Sequence, residues 1–416
     1  MRALLLLLGL AAAPHKPRRE RDLPGTFVRF ADLEQCPRLV PRATPARVDD
    51  VRPDDFSVVM ALGDSISAAL LARGGWEPQA REEPQDHSTH SLSQEAQKAF
   101  EHPPASTALA PAPGVPEILE WRGLSYAAGG DRGALTLPNL LSHYTRVVGM
   151  SYGRHPAICV GGESDDCHPP SDGLNGAVSG SIATSLLGQA QELMPRYKAL
   201  STSSRKGWTY VNIAIGANDI CAFCLSSNLP LGPGTPDEFA EGISAAVEVL
   251  RQHIPRLIVN IVGLFRVSAV YKLTLHDPYC QGPYHPPIPH LPLECSCATL
   301  PGPVGDYSRH RMDELGAAYD AAVRDLVRRW DAERNSSFAA IWQPGTALDL
   351  EHYPIEAVSP IDCFHPSEDA HQRLAAGIWN RLVLPQAYKS FPFAWEDDVW
   401  VRCLEADDRV QVRQAL

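Results

Sequence analysis

The sequence predicts an α/β protein, a three-layer α/β/α sandwich with a mainly parallel sheet. Short apolar runs rich in Val and Ile recur along the chain, separated by amphipathic stretches. Such alternation joins parallel strands through crossover helices that cover both faces of a sheet. The runs themselves, as in Phe56-Ser-Val-Val-Met-Ala-Leu62, are apolar nearly throughout, which is the pattern of strands buried on both sides.

In chain order, Met1-Arg2, the apolar run Ala3 to Leu10 and three alanines predict a signal peptide over residues 1–13. Residues 14–54, rich in Arg, Pro and Asp, read as an irregular lead-in. The first strand is Phe56 to Leu62. Residues 76–118 follow with abundant Pro, Glu, His and Ser; they hold too little apolar area to offset their conformational entropy, so a disordered insertion is expected. Pro138-Asn139-Leu140-Leu141 predicts a short helix entry. Beyond it come a helix near Ser181 to Leu200, a strand Trp208 to Ile215, a helix Pro236 to His253 with Asp237 and Glu238 in its first turn, and a strand Arg256 to Leu264. Residues 271–306, dense in Pro, Cys and Gly, read as a long loop. Apolar residues at steps of three and four predict a helix over Tyr307 to Glu333; a strand Phe338 to Trp342 and a helix Ser367 to about Leu384 complete the series.

The chain has 416 residues, 44% hydrophobic and 21% charged, enough for one large globular domain. One domain over residues 55–400, with a tail at 401–416, is expected because the chemistry-bearing motifs span most of that length. The formal net charge of -12 argues against a nucleic-acid partner, which needs clustered Lys and Arg. Ten cysteines, several closely spaced as in Cys159 to Cys167 and Cys280 to Cys295 and Cys297, predict local disulfides in an oxidising compartment. Zinc bound by Cys221-x-x-Cys224 and Cys295-x-Cys297 is the competing reading, but the spacing lacks two regular pairs, and no metal is expected. Asn335-Ser-Ser is a glycosylation acceptor in a secreted chain. No apolar run near the C-terminus approaches the roughly 20 residues of a membrane span, so a soluble, secreted mature protein is expected.

Four islands carry the chemistry. Ser65 follows the first strand directly, at the carboxyl end where open α/β sheets present their ligand sites. It reads as a nucleophile, while Gly-Asp-Ser alone favours a helix N-cap with Asp64; both can hold. His365 is the candidate base. Asp362, three residues upstream, is within reach to hold the imidazole and stabilise the imidazolium. Asn218, in Gly216-Ala-Asn-Asp219 after the second strand, offers a side-chain amide to a developing oxyanion, and Gly180 offers a backbone N–H at the start of the next helix. The Ser65 N–H completes the expected oxyanion hole.

Taken together, Gly63-Asp64-Ser65, Asn175-Gly-Ala-Val-Ser-Gly180, Gly216-Ala-Asn-Asp219 and Asp362-Cys-Phe-His365 resemble the blocks of the GDSL or SGNH hydrolase superfamily. Ile66 stands where the motif has leucine. A nearer resemblance, over residues 55–400, is to the repeat units of membrane-associated phospholipase B, through Trp121-Arg-Gly-Leu-Ser-Tyr126, Gly129-Gly-Asp131, Leu135-Thr-Leu-Pro-Asn139 and Asn218-Asp-Ile-Cys221 leading to Cys224. That resemblance implies a flavodoxin-like fold, no cofactor, and hydrolysis of acyl esters in phospholipids and lysophospholipids at a lipid surface. The alternatives are an esterase of O-acetylated sugars or small acyl esters, and a silent binding protein on the same scaffold.

Overall fold

The computed structural model describes residues 19–73, 118–159, 167–224, 234–277, 280 and 295–413. The expected signal peptide, and the expected insertion except Ile118, lie outside them. Four parallel strands make the central sheet: β2 (Phe56–Gly63), β5 (Trp208–Ala214), β6 (Leu257–Val262) and β7 (Phe338–Gln343), in the order β2-β5-β6-β7. Two pairings of two or three residues complete the strands among the described residues. β1 (Phe27–Arg29) lies antiparallel to β8 (Trp400–Arg402), and β3 (Leu119–Glu120) to β4 (His155–Pro156). The helices that matter below are α1 (Ser65–Ala68), α2 (Leu137–Tyr144), α3 (Leu186–Ala199), α4 (Ala217–Cys221), α5 (Pro236–His253), α6 (Val267–Thr274), α7 (Gly302–Ala332) and α8 (Glu368–Leu382).

The continuous apolar strands arise because both faces are covered. Val58, Met60 and Leu62 of β2 pack with Val211, Val259 and Ala340 against α3, α5 and α7. The alternate residues Val59 and Ala61 pack with Tyr210, Ile258 and Ile341 against α2 and α8. This is the expected α/β/α layering, and each Leu- or Val-sized side chain so buried contributes about 1.5–3 kcal/mol. Local signals set the helix starts. Thr235 and Glu238 form a reciprocal capping box at α5, with Glu238 N–H donating to Thr235 Oγ1 (3.2 Å) and Thr235 N–H to Glu238 Oε2 (2.7 Å). Ser367 Oγ accepts from Ala370 N–H at the start of α8 (3.3 Å).

Several expectations need correction. The stretch read as a loop over 271–306 holds the end of α6 and the first residues of α7, which starts at Gly302 rather than Tyr307. Pro303 does not break α7, because a proline in the first turn lacks only an N–H that has no helical partner there. The lead-in contributes strand β1, and residues 401–413, set apart as a tail, bury Val401, Leu404, Val410 and Val412 in the core beside α8. Of the expected local disulfides only Cys159–Cys167 forms. Cys280 pairs with Cys363 and Cys295 with Cys221, at separations of 83 and 74 residues, and Cys36 pairs with Cys403 across 367. Cys297 is also disulfide-bonded. Closeness in sequence misled because the fold brings residues far apart along the chain together. These pairings suit an oxidising, extracellular compartment. Among the described residues, no helix is long and apolar enough to cross a membrane.

Candidate active site

The site is built where β2 and β5 end side by side, with Gly63 opposite Ala214. Gly63 has φ +156°, and a Cβ there would collide with the Ala214 carbonyl oxygen, so only glycine lets the strand turn this tightly. The buried Gln189 side chain fixes the turn from α3, accepting from Gly63 N–H (2.9 Å) and donating to its carbonyl (2.8 Å). Asp64 is the N-cap of α1, its Oδ1 accepting from Ile66 N–H (2.9 Å). Burial pushes the Asp64 carboxyl up to about 6, against the pull of that amide. Because Asp64 does the capping, the Ser65 hydroxyl is released for other partners.

Its partner is His365. Ser65 Oγ lies 2.8 Å from His365 Nε2, across 300 residues of sequence, and His365 Nδ1 lies 2.5 Å from Asp362 Oδ2. A carboxylate can only accept, so Nδ1 carries the ring proton and Nε2 presents its lone pair to the serine. Burial opposes the charge of Asp362. The adjacent His365 and the N–H groups of Phe364 and His365 nevertheless hold its carboxyl below the usual carboxylate range. Between them, Cys363 sits at φ +55°, a left-handed conformation, and is bonded to Cys280.

The expected oxyanion donors converge on the same strand end. Residues 174–178 run along the open edge of β2, with Ala61 N–H donating to Leu174 O (3.1 Å), Gly176 N–H to Ala61 O (2.9 Å) and Val178 N–H to Gly63 O (3.1 Å). Two residues beyond each member of that last pair stand Gly180 and Ser65. Gly180 does not open a helix directly, as the sequence reading had it. It takes a left-handed turn at φ +80° before a 3-10 turn at Ala183–Ser185, with α3 following. Neither the Ser65 N–H nor the Gly180 N–H donates to any described residue. Asn218, in the first turn of α4, donates one amide hydrogen to Ser181 O (3.0 Å) and keeps the second. Its neighbour Asp219 accepts from Ala183 N–H with both oxygens (3.2 Å); burial pushes this carboxyl up to about 7 against that hydrogen bond. Asn218 and Asp219 thus fasten the β5 and Gly180 blocks to each other.

Beside the triad opens a cleft of about 860 Å³, its solvent-facing mouth included. Ile66, Phe364 and Pro366 flank the serine and histidine, and Leu264, Val270 and Leu348 continue the wall, so the lining is almost wholly apolar. Sequence reasoning missed Phe364, whose ring meets His365 edge-on at 5.6 Å. It also missed the polar ladder beneath the site, in which Asn260 Nδ2 donates to Asn212 Oδ1 (2.9 Å) and Asn212 Nδ2 to Tyr126 OH (3.0 Å). An asparagine inside each of two apolar strands, Val211-Asn-Ile213 and Val259-Asn-Ile261, was the available signal. Asn335, the glycosylation candidate, lies half-buried just past α7, its Oδ1 accepting from Ser337 N–H (2.8 Å).

The layered fold and the hydrogen-bonded Ser65–His365–Asp362 series belong with the carboxylic ester hydrolases. Residues 59–378 match the GDSL-like Lipase/Acylhydrolase family, and the chain belongs to it. Among characterised proteins it is similar to membrane-associated phospholipase B1 of Rattus norvegicus, 26% identical over 367 residues that cover 85% of this chain and 21% of the relative. The Homo sapiens counterpart is 25% identical over 380 residues, covering 89% and 22%. The chain therefore spans about a fifth of the length of these relatives. Among solved structures, an acetyl xylan esterase variant from Geobacillus stearothermophilus aligns over 82% of this chain and 100% of its own, at 16% identity and a TM-score of 0.32.

Proposed function

We propose that the protein is a secreted phospholipase B-type esterase that cleaves acyl esters of phospholipids and lysophospholipids through an acyl-enzyme. The observation that supports it most is the Ser65–His365–Asp362 series, at 2.8 and 2.5 Å, whose neighbours Ile66, Phe364 and Pro366 line an apolar cleft. In this reading His365 Nε2 takes the Ser65 proton as Oγ attacks the ester carbonyl. The oxyanion is met by the N–H groups of Ser65 and Gly180 and the second amide hydrogen of Asn218, in a setting where each donor typically lowers the barrier by about 3–4 kcal/mol. His365 then returns the proton to the leaving alcohol. A water activated by the same imidazole releases the fatty acid.

A long apolar wall has value only for a long acyl chain, so lysophosphatidylcholine is expected to be turned over at least about tenfold faster than an acetylated sugar. Leu348→Trp, which narrows the half-buried part of the cleft, is expected to slow a long-chain ester by about tenfold or more while a butyrate ester changes little. Faster acetyl release, or a Leu348→Trp variant indifferent to chain length, would move the assignment to a small-acyl esterase.

The same reading takes residues 1–13 as a removed signal and Asn335 as glycan-bearing; the disulfides support the compartment this needs. Protein secreted from eukaryotic cells is expected to lose mass on N-glycosidase treatment, and the Asn335→Gln variant to show no such loss. An unchanged mass for the unaltered protein removes the glycan.

A further inference from the structure

The motif Trp121-Arg-Gly-Leu-Ser-Tyr126 has no place in the mechanism above, yet its arginine is among the most buried charges in the molecule. Arg122 is 1% exposed, as is Glu120. The guanidinium donates through Nε (2.9 Å) and Nη2 (2.7 Å) to Glu120 Oε2, and its Nη1 stands 3.5 Å from Asp172 Oδ2. A charge taken this far from water persists only when its donors are all used, and here the remaining ones are spent on backbone. Nη1 donates to Asn175 O (3.2 Å) and Nη2 to Ala177 O (2.8 Å). The next alternate residue, Ser179, donates its hydroxyl to Glu120 Oε1 (2.5 Å). One buried ion pair thus grips positions 175, 177 and 179, the three alternate residues that lead into Gly180.

The grip extends to the nucleophile. Glu120 bridges to Leu70, whose N–H donates to Ser65 O (2.9 Å). Asn175 Nδ2 and Ser125 Oγ both donate to Ser67 O, at 3.1 and 2.7 Å. The segment that delivers the Gly180 N–H and the helix that delivers the Ser65 N–H are therefore fastened to one centre. Asp172 is itself held by His155 Nε2 on Oδ1 (3.0 Å) and His168 Nδ1 on Oδ2 (3.2 Å), so the acidic side of the centre is also fixed.

We propose that Arg122, with Glu120, is a positioning residue for the oxyanion hole: it sets the spacing between the Gly180 and Ser65 amides without touching substrate. This rests on the reading of Gly180 as an oxyanion donor. A lysine would keep the charge but lose the fork that reaches Glu120 and two carbonyls at once.

The test compares Arg122→Lys and Ser179→Ala with the unaltered protein and with Ser65→Ala, using a short p-nitrophenyl ester so that acyl length plays no part. A misplaced oxyanion donor lowers kcat by about ten- to a hundredfold, leaving KM and the acid limb of the pH profile in place. That is the expected result for Arg122→Lys, with a smaller fall of about threefold to tenfold for Ser179→Ala, which removes one hydrogen bond and no charge. If Arg122→Lys does not fold, Ser179→Ala alone decides. Folded variants within twofold of the normal kcat, or with a fall expressed only in melting temperature or in KM, overturn the proposal. Should those variants behave normally while Ser65→Ala is dead, only this inference fails; activity surviving in Ser65→Ala instead removes the catalytic reading beneath it.

Discussion

Ser65→Ala is expected to lower ester turnover by on the order of 10⁴- to 10⁶-fold and to abolish labelling by a fluorophosphonate, while the protein stays folded. The size of the effect follows from the role: without Oγ there is no acyl-enzyme, and only the oxyanion donors and binding remain to assist water. The intact fold follows from the division of labour at the start of α1. Asp64, not Ser65, supplies the cap to Ile66 N–H, so the substitution removes one hydrogen bond to His365 and no helix-terminal contact. The melting temperature is expected to move by no more than a few kelvin. Asp64→Ala provides the contrast, since loss of a cap costs about 1 kcal/mol and leaves the nucleophile chemically present. Labelling that survives in Ser65→Ala would place the reactive group elsewhere.

The parts of this site that could be read from the sequence are those encoded over a few residues. Ser65 directly after an apolar strand and Asp362 three residues before His365 are local patterns, and parallel-sheet topology sends the carboxyl ends of strands to a common edge. The choice between cap and nucleophile at Ser65 could not be made from Gly-Asp-Ser alone. It turned on which of two adjacent side chains faces Ile66 N–H, and that depends on His365 arriving from 300 residues away. Gly180 was recognisable as a glycine before a helix, but the feature that frees its amide is a left-handed turn, which spacing does not reveal. Arg122 was visible only as part of a motif. Its meaning comes from partners at 120, 172, 175 and 177 that no periodicity links. The cysteines misled for the same reason: Cys36 and Cys403 meet because β1 and β8 pair, and a three-residue strand in a polar lead-in carries almost no signal.

Asp362→Asn is expected to lower kcat by about 10⁴-fold with little change in KM. The asparagine is nearly isosteric, and its Oδ1 can still accept from the N–H groups of Phe364 and His365, so the loop keeps its shape, held also by Cys280–Cys363. What changes is the atom facing His365 Nδ1. A carboxylate oxygen, which only accepts, gives way to an amide N–H, which donates. Nδ1 must then offer a lone pair, the ring proton moves to Nε2, and the nitrogen facing Ser65 Oγ can no longer take its proton. The fall therefore comes from the wrong tautomer and not from a lost helix or a lost pocket. The pH profile separates the two carboxyl and imidazole roles in the unaltered protein. Asp362 is held below the usual carboxylate range, so it is ionised throughout mild acid and contributes no limb there. His365 must be neutral to act as base. Activity is accordingly expected to fall in mild acid as that imidazole takes up a proton, by up to about tenfold per pH unit once it is protonated. A rate that stays flat from about pH 8 down to about pH 5, or an Asp362→Asn variant within tenfold of normal turnover, would remove His365 and Asp362 from the roles their geometry gives them.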